Sequence, residues 1–355
     1  MEKIRLAFLG CGDVAQRDYL PEMARIADRV ELVAVCGRGE DRARAAAAQY
    51  NFRRWYTDYA QMLADDEIDA VVNLTPIQLH GETNLAILQA GKHLYTEKPI
   101  GGSVAEVEQL REEATRRGLT VVSAPCVMIF PQVRYVQSLL AEDAIGPVYS
   151  AVGAGHGGVP PWRGYGSDPS PFFSAGGGPA RDMGVYPLHA LTGLLGPVRR
   201  VTALTAQVLD RFTVPDGPAA GKEVQVTVED NWQLLLDFGN GCLASVEATN
   251  CVRDTRVPQV EIRGLAGTVA VNVIDVAAPV EILRRGQGWE TVTLPRTGRA
   301  AGPDHLLGVE HLVDCLQQGR QPILSLAHAL HVVEVLEKAA EAARTGQTIA
   351  VESRF

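Results

Sequence analysis

The chain has 355 residues, which at roughly 100 to 200 residues per domain allows two domains or one large one with a sizeable core. Hydrophobic residues make up 46% and charged residues 21%, which excludes a disordered chain, a collagen-like repeat and a membrane bundle. Asp plus Glu number 42 against 33 Lys plus Arg, a formal net charge of -9, so a small-molecule partner is expected rather than nucleic acid or an anionic membrane.

Ile4 to Leu9 reads as a buried strand, broken by Gly10 and Gly12, after which Val14, Ala15, Leu20 and Met23 recur at helical spacing. A second strand, Leu32 to Cys36, leads into an Ala- and Arg-rich helix ending near Tyr50. Ala70 to Leu74, His93 to Thr96 and Thr120 to Ala124 are further short apolar strands, each of the first two followed by a helical stretch. Ser103-x-x-Glu106 is a capping box that opens a helix ending at Gly118. Strands alternating with helices over this stretch predict a doubly wound parallel sheet, an α/β Rossmann domain over residues 1–124.

From Val148 to about Pro295 the text turns to strands: Val201 to Leu209, Val224 to Val228, Trp232 to Phe238, Cys242 to Thr249, Gln259 to Arg263 and Thr268 to Asn272. Phe238-Gly239-Asn240-Gly241 is a hairpin signal. Two helices, about His305 to Gln318 and Ala327 to Thr345, close the chain. Residues 125–355 are therefore expected to form an α+β domain around a large, mostly antiparallel sheet, with the closing helices free to pack back on the first domain. The six cysteines form no C-x-x-C pair, and no apolar run reaches the ~18 residues a membrane span needs. With no signal-peptide pattern either, reduced thiols in a cytoplasmic protein are expected.

Three segments carry chemistry. Gly10-Cys11-Gly12-Asp13-Val14-Ala15 is G-x-G-x-x-A between a strand and a helix, the context in which glycines let a backbone approach a pyrophosphate and a helix N-terminus stabilises its charge. At the tip of the second strand, Gly37 and Arg38 stand where an NAD site usually places a carboxylate, and Arg42 lies one helical turn on. A guanidinium there suits a 2′-phosphate, so NADP is favoured with NAD as the alternative. Thr96-Glu97-Lys98-Pro99 ends a strand at the carboxyl edge where such sheets bind ligands, and the proline restricts Lys98 to an extended geometry. Gly176-Gly177-Gly178 precedes Asp182, Tyr186 and His189, which share one face if the segment is helical, although Pro187 warns of a late start or a kink.

In their order and spacing these motifs resemble the glucose-fructose oxidoreductase, inositol dehydrogenase and MocA family (Gfo/Idh/MocA) over essentially the whole chain. The resemblance implies an NAD(P)-dependent oxidoreductase with Lys98, Asp182 and Tyr186 around the nicotinamide and the reacting carbon. A tyrosine at 186 is similar to the glucose-fructose oxidoreductase and dimeric dihydrodiol dehydrogenase branches, where inositol dehydrogenases usually have histidine. Trp162-Arg163 resembles a Trp-Arg pair that relatives place by the substrate, and Asn73, Thr75, Pro76 and His80 match a loop that touches the cofactor. Arg181 departs from the usual small or apolar residue; it is read as solvated, the alternative being an inward cation for an acidic or phosphorylated substrate.

The implied reaction is hydride exchange with a sugar, polyol, cyclitol or dihydrodiol carbon, with Tyr165 at the pocket edge beside Trp162 and Arg163. Tyr186 would exchange the hydroxyl proton, helped by the Lys98 charge, and Asp182 would orient Lys98 or the substrate. His189 is a rival base, more readily explained as a core histidine. No cluster has metal-ligand spacing, so no metal is expected. The competing readings are a cofactor-binding sensor without catalysis and an NAD-dependent glycosidase of the same superfamily. A homodimer or homotetramer through the second-domain sheet is expected. Nine of the glycines lie between Gly153 and Gly178, marking that segment as a long active-site loop.

Overall fold

The computed structural model describes residues 2–160, 165–252, 255–295 and 298–355. Contacts divide the chain into two compact units. One comprises Met1–Ala124, Tyr165–Ser167 and His305–Leu326; the other comprises Pro125–Gly164, Asp168–Asp304 and Ala327–Phe355.

The first unit is built on six strands: β1 (Ile4–Leu9), β2 (Val30–Cys36), β3 (Arg54–Tyr56), β4 (Ala70–Asn73), β5 (His93–Thr96) and β6 (Val121–Ser123). They run parallel in the order β3-β2-β1-β4-β5-β6, the Rossmann arrangement that the alternation of strands and helices predicts. Leu6, Phe8, Val71, Val72 and Leu94 are completely buried, as continuous apolar strands must be when helices cover both faces. Each such side chain contributes ~1.5–3 kcal/mol relative to exposure. The edge strand β3 has no apolar run to announce it, since Arg54 and Trp55 are exposed.

Two helix details differ from the simple pattern. Ser103 does accept from the Glu106 amide at 3.2 Å, but the Glu106 carboxylate reaches back to the Gly102 amide, at 2.8 Å, rather than to Ser103. The helix after the first glycines is wide over Ala15–Tyr19, a π turn, and then tightens to 3₁₀ over Leu20–Ile26. Pro21, which has no amide to donate, falls where the winding changes. Ala15, Asp18 and Tyr19 are buried at i, i+3 and i+4, the inward stripe of the helix, so a carboxylate is buried there beside a phenol.

In the second unit the main sheet has nine strands: β7 (Val148–His156), β8 (Arg200–Ala206), β11 (Asn231–Gly239), β12 (Cys242–Thr249), β13 (Val260–Gly264), β14 (Gly267–Val271), β15 (Val280–Arg284), β16 (Trp289–Val292) and β17 (Ile349–Ala350). A separate hairpin pairs β9 (Arg211–Thr213) with β10 (Glu223–Gln225). The nine-stranded order is β16-β15-β14-β13-β7-β12-β11-β8-β17, antiparallel throughout except for the β7–β12 pair. The β11–β12 turn runs through Gly239, Asn240 and Gly241, all with positive φ, which explains its composition. Leu234, Leu236 and Phe238 are buried while Leu235 between them is 62% exposed, the alternation of a sheet covered on one face.

The covered face receives the helix Val185–Leu195, and glycines set how closely it approaches. A Cβ on Gly155 of β7 would lie 2.6 Å from the Gly184 Cα, and one on Gly153 would lie 2.9 Å from the Pro187 Cβ. The second closing helix, Leu326–Thr345, brings His328 and His331 into this core. The His328 Nε2 lies 2.7 Å from the Thr192 Oγ1, and the His328 ring centroid is 5.0 Å from that of His189. His331 accepts the Val198 amide at its Nε2, at 3.0 Å. Burial holds all three imidazoles far below their ordinary pKa: His189 and His331 at about 4 and His328 at about 2.

Two outcomes follow. Gly155→Ala is expected to cost about 1–3 kcal/mol by overpacking, measured as a lower denaturant midpoint at unchanged slope. The three histidines bind fewer protons folded than unfolded below their ordinary 6.5, so stability is full above that pH and falls as the pH drops toward about 4. The thermal midpoint should therefore already decline between about pH 6.5 and 5.5, above the range in which ordinary carboxylates mainly titrate; a flat midpoint across that window would contradict the assignment.

Candidate active site

At the end of β1, Gly10 has a φ of +104°, and a Cβ there would sit 2.5 Å from the Leu74 carbonyl oxygen, so no other residue fits. A Cβ on Gly12 would meet nothing within 4 Å, leaving open space over this backbone. Gln16 donates to the Gly12 carbonyl and closes the first helical turn. The amides of Asp13, Val14 and Ala15 thus lie in the first turn, where helical N–H groups lack intrahelical partners. A closely approachable loop leading into a helix N-terminus fits a dinucleotide pyrophosphate. Cys11 lies buried in this loop against Gly37; burial raises its thiol pKa, and the nearby Arg42 only partly offsets that.

At the tip of β2, Arg38 and Arg42 are exposed and carry no ion pair among the described residues. Asp41, which could have neutralised them, pairs instead with Arg44 at 2.7 Å. Both guanidiniums are therefore available to an anionic ligand.

The carboxyl ends of β4 and β5 form a tightly bonded polar edge. Asn73 is fully buried: its amide donates to Thr83 and Asn84 at 2.8 and 2.7 Å, and its oxygen accepts from the Thr75 amide and hydroxyl. This fixes the Thr75-Pro76 loop. The His80 Nδ1 is 2.7 Å from the Pro99 carbonyl oxygen and its Nε2 is 2.9 Å from that of Thr75, so the ring ties the two edge loops together. Burial lowers the His80 pKa while the two carbonyls oppose that shift. Asn73 and His80, expected from the resemblance to touch the cofactor, bond to protein groups here and hold Thr75, Pro76 and Pro99 in place.

Glu97 is similarly committed. It is 8% exposed; its Oε1 accepts the Tyr19 hydroxyl at 2.5 Å, and its Oε2 accepts the Lys98 amide at 3.0 Å. Burial works against this carboxylate, but His305, Lys98 and the Tyr19 hydroxyl outweigh it and hold its pKa below the usual value. Lys98 itself is half-buried, and the Lys98–Pro99 peptide bond is cis. The first unit also holds Tyr165, whose phenol interacts with Arg17, and the neighbouring Gly166 amide donates to the Asp13 Oδ1 at 2.7 Å. Tyr165 thus stands beside the Gly-rich loop.

In the second unit Asp182 ends a short helical turn, Pro179–Asp182, and Tyr186 and His189 lie on the helix Val185–Leu195. The break falls at Met183 and Gly184, upstream of Pro187, which occupies the first turn where its missing amide costs nothing. Asp182, Tyr186 and His189 are each 6% exposed. The His189 Nδ1 donates to the Val185 carbonyl at 2.8 Å, making it a neutral core imidazole. Arg181, expected to be solvated, is instead partly buried with its Nη1 shielded from solvent. His156 ends β7 with its Nε2 3.1 Å from the Glu247 Oε2. Trp162 and Arg163 lie outside the described residues.

Sequence reasoning missed Tyr19, Tyr95, Thr83, Asn84 and His305. Tyr19 reads as a core aromatic at i+4 from Ala15, and His305 stands far from the edge in sequence at the mouth of a helix that reads simply as amphipathic. Among the described residues, no group of three or more His, Cys, Asp or Glu is arranged to hold a metal ion, and no helix is long and apolar enough to cross a membrane.

Residues 4–124 match the profile of the oxidoreductase family with an NAD-binding Rossmann fold, and residues 133–270 match the GFO/IDH/MocA C-terminal domain. An oxidoreductase of Rhizobium meliloti is 33% identical over 193 residues, which cover 54% of this chain but only 55% of that protein. The trans-1,2-dihydrobenzene-1,2-diol dehydrogenase of Sus scrofa is 25% identical over 322 residues, 88% of each chain. The structure of a levoglucosan dehydrogenase in complex with NADH and L-sorbose superimposes with a TM-score of 0.87 at 21% identity, covering 99% of this chain and 100% of the other, which supports the fold. With both halves matched in order, this chain belongs to the Gfo/Idh/MocA family of oxidoreductases, with an NAD-binding Rossmann domain.

Proposed function

We propose that this protein is an NADP-preferring dehydrogenase or reductase acting on the carbinol or carbonyl carbon of a sugar, polyol, cyclitol or dihydrodiol. The observation that carries the reading is the end of β5, where a half-buried lysine is anchored through its own amide to a buried carboxylate at the ligand edge of the sheet. When bound, the nicotinamide supplies or accepts the hydride. Lys98 stabilises the substrate oxygen as negative charge grows on it, Tyr186 exchanges the hydroxyl proton, and Asp182 orients a substrate hydroxyl. His189 is a poor base at neutral pH, because burial holds it at about 4.

Support for NADP comes from Arg38 and Arg42, both exposed and without an ion pair among the described residues, at the strand tip where a ribose 2′-substituent is read. The relatives named for dihydrodiol and levoglucosan dehydrogenation favour a hydroxyl-rich small substrate. The uncovered face of the second sheet exposes Leu204, Leu235 and Leu243 at 73%, 62% and 58%, and we assign it to contact between copies in a homodimer or homotetramer. Among the described residues no disulfide joins any of the six cysteines, which supports a reducing, cytoplasmic setting.

A panel of aldoses, polyols, cyclitols and dihydrodiols, assayed with NADP and with NAD by the absorbance of the reduced nicotinamide, tests the substrate class and the cofactor preference together. Lys98→Met is expected to bind NADPH within about twofold of the parent and to lose about 10²–10⁴ in kcat. Full turnover in that variant would remove Lys98 from the chemistry.

A further inference from the structure

Three separate segments converge on one carboxylate in the first unit. Tyr19, on the π turn of the first helix, donates to the Glu97 Oε1 at 2.5 Å, and the same hydroxyl lies 2.8 Å from that of Tyr95 on β5. His305, at the N-terminus of the helix Leu306–Gln318, has its Nδ1 3.7 Å from the same Oε1. The His305 and Tyr19 rings stack with centroids 5.5 Å apart and planes at 29°. The remaining oxygen, Oε2, accepts the Lys98 amide at 3.0 Å. Tyr19 and Tyr95 are fully buried, and Glu97 and His305 are each 8% exposed.

We propose that Tyr19 and His305 are positioning residues of the reaction, acting on Lys98 through Glu97. The inference rests on the reading of Lys98 given above. Taking a carboxylate out of water costs several kcal/mol unless partners restore what solvent supplied, so a buried glutamate needs this clamp to remain a negative charge. Once clamped, it does two things for its neighbour. Its Oε2 fixes the backbone from which the Lys98 side chain departs, and its charge favours the ammonium form of Lys98. The groups that face the carboxylate are Tyr19 from the first helix, Tyr95 and Lys98 from β5 and its end, His80 from the helix His80–Gln89 and His305 from the helix Leu306–Gln318. A clamp with a purely structural purpose would be met as well by an apolar or amide side chain, with no ion buried beside the lysine.

The test compares Glu97→Gln, Tyr19→Phe and His305→Gln with Lys98→Met. NADPH binding is followed by fluorescence, stability by thermal melting, and kcat across pH. Glu97→Gln is expected to lower kcat at least about tenfold and move the alkaline limb of the kcat profile about one unit to lower pH, with the NADPH Kd within about threefold. Tyr19→Phe, which keeps the ring and removes only the hydroxyl, and His305→Gln should shift the limb in the same direction by less. Glu97→Asp should restore part of the shift. Unshifted limbs and parental kcat in the Tyr19 and His305 variants, whatever happens to their melting points, would overturn the proposal even where Glu97→Gln does not fold. If Lys98→Met retains turnover, the reading of Lys98 has failed instead; if it is inactive while the clamp variants are unchanged, only the clamp has failed.

Discussion

A parallel sheet covered by helices on both faces leaves one place for polar chemistry, the edge where its strands end. Toward the carboxyl ends of β1, β4 and β5, Leu6 to Leu9, Ala70 to Val72 and Leu94 are apolar and buried, and the polar side chains that follow them are Asn73, Tyr95, Thr96 and Glu97. Because these are also buried, each must find partners within the protein. That requirement organises the edge: Asn73 holds the Thr75 loop, His80 bridges the carbonyls of Thr75 and Pro99, and Glu97 accepts from Tyr19 and from Lys98. Beside this edge lie half-buried Lys98, the open backbone at Gly12 and the two exposed arginines after β2.

The second unit solves a different problem with glycine. Its sheet must accept a helix carrying Tyr186, and behind it the turn carrying Asp182, at a backbone separation that no side chain on Gly155 would permit. The glycine-rich composition of β7 follows from that approach, as does the burial of Asp182 and Tyr186. Beneath them lies a set of neutral imidazoles, His189, His328 and His331, bonded to Val185, Thr192 and Val198. They belong to the packing of two helices, and their depressed basicity separates His189 from the acid–base role its position on the helix suggests.

The fold was legible because its signals are local. A strand that is apolar at every position, a glycine turn and a helix cap identify themselves within a few residues, and their alternation predicts the parallel sheet; the strands and hairpin after Val148 likewise show period two. What the sequence did not reveal is either short or remote. β3 and β17 have three and two residues, too few for any period. Tyr19 falls at i+4 from Ala15 and reads simply as a core aromatic, and nothing near Tyr19 or His305 in the sequence marks either as a neighbour of Glu97. Pro187 is a true warning about the helix: its ring and missing amide exclude a helical bond to the Met183 carbonyl four residues back, and the break falls at Met183 and Gly184.

The central claim is that the bound nicotinamide exchanges hydride with a hydroxyl-bearing carbon of the substrate. It is tested most directly with a reduced cofactor carrying deuterium at the transferable C4 position, incubated with the carbonyl form of a substrate found by the panel. The account predicts one deuterium on the new carbinol carbon of the product for each cofactor oxidised. Product formed without deuterium, with the dinucleotide left bound and unchanged, would contradict it and place the chain with enzymes that use the cofactor without net redox.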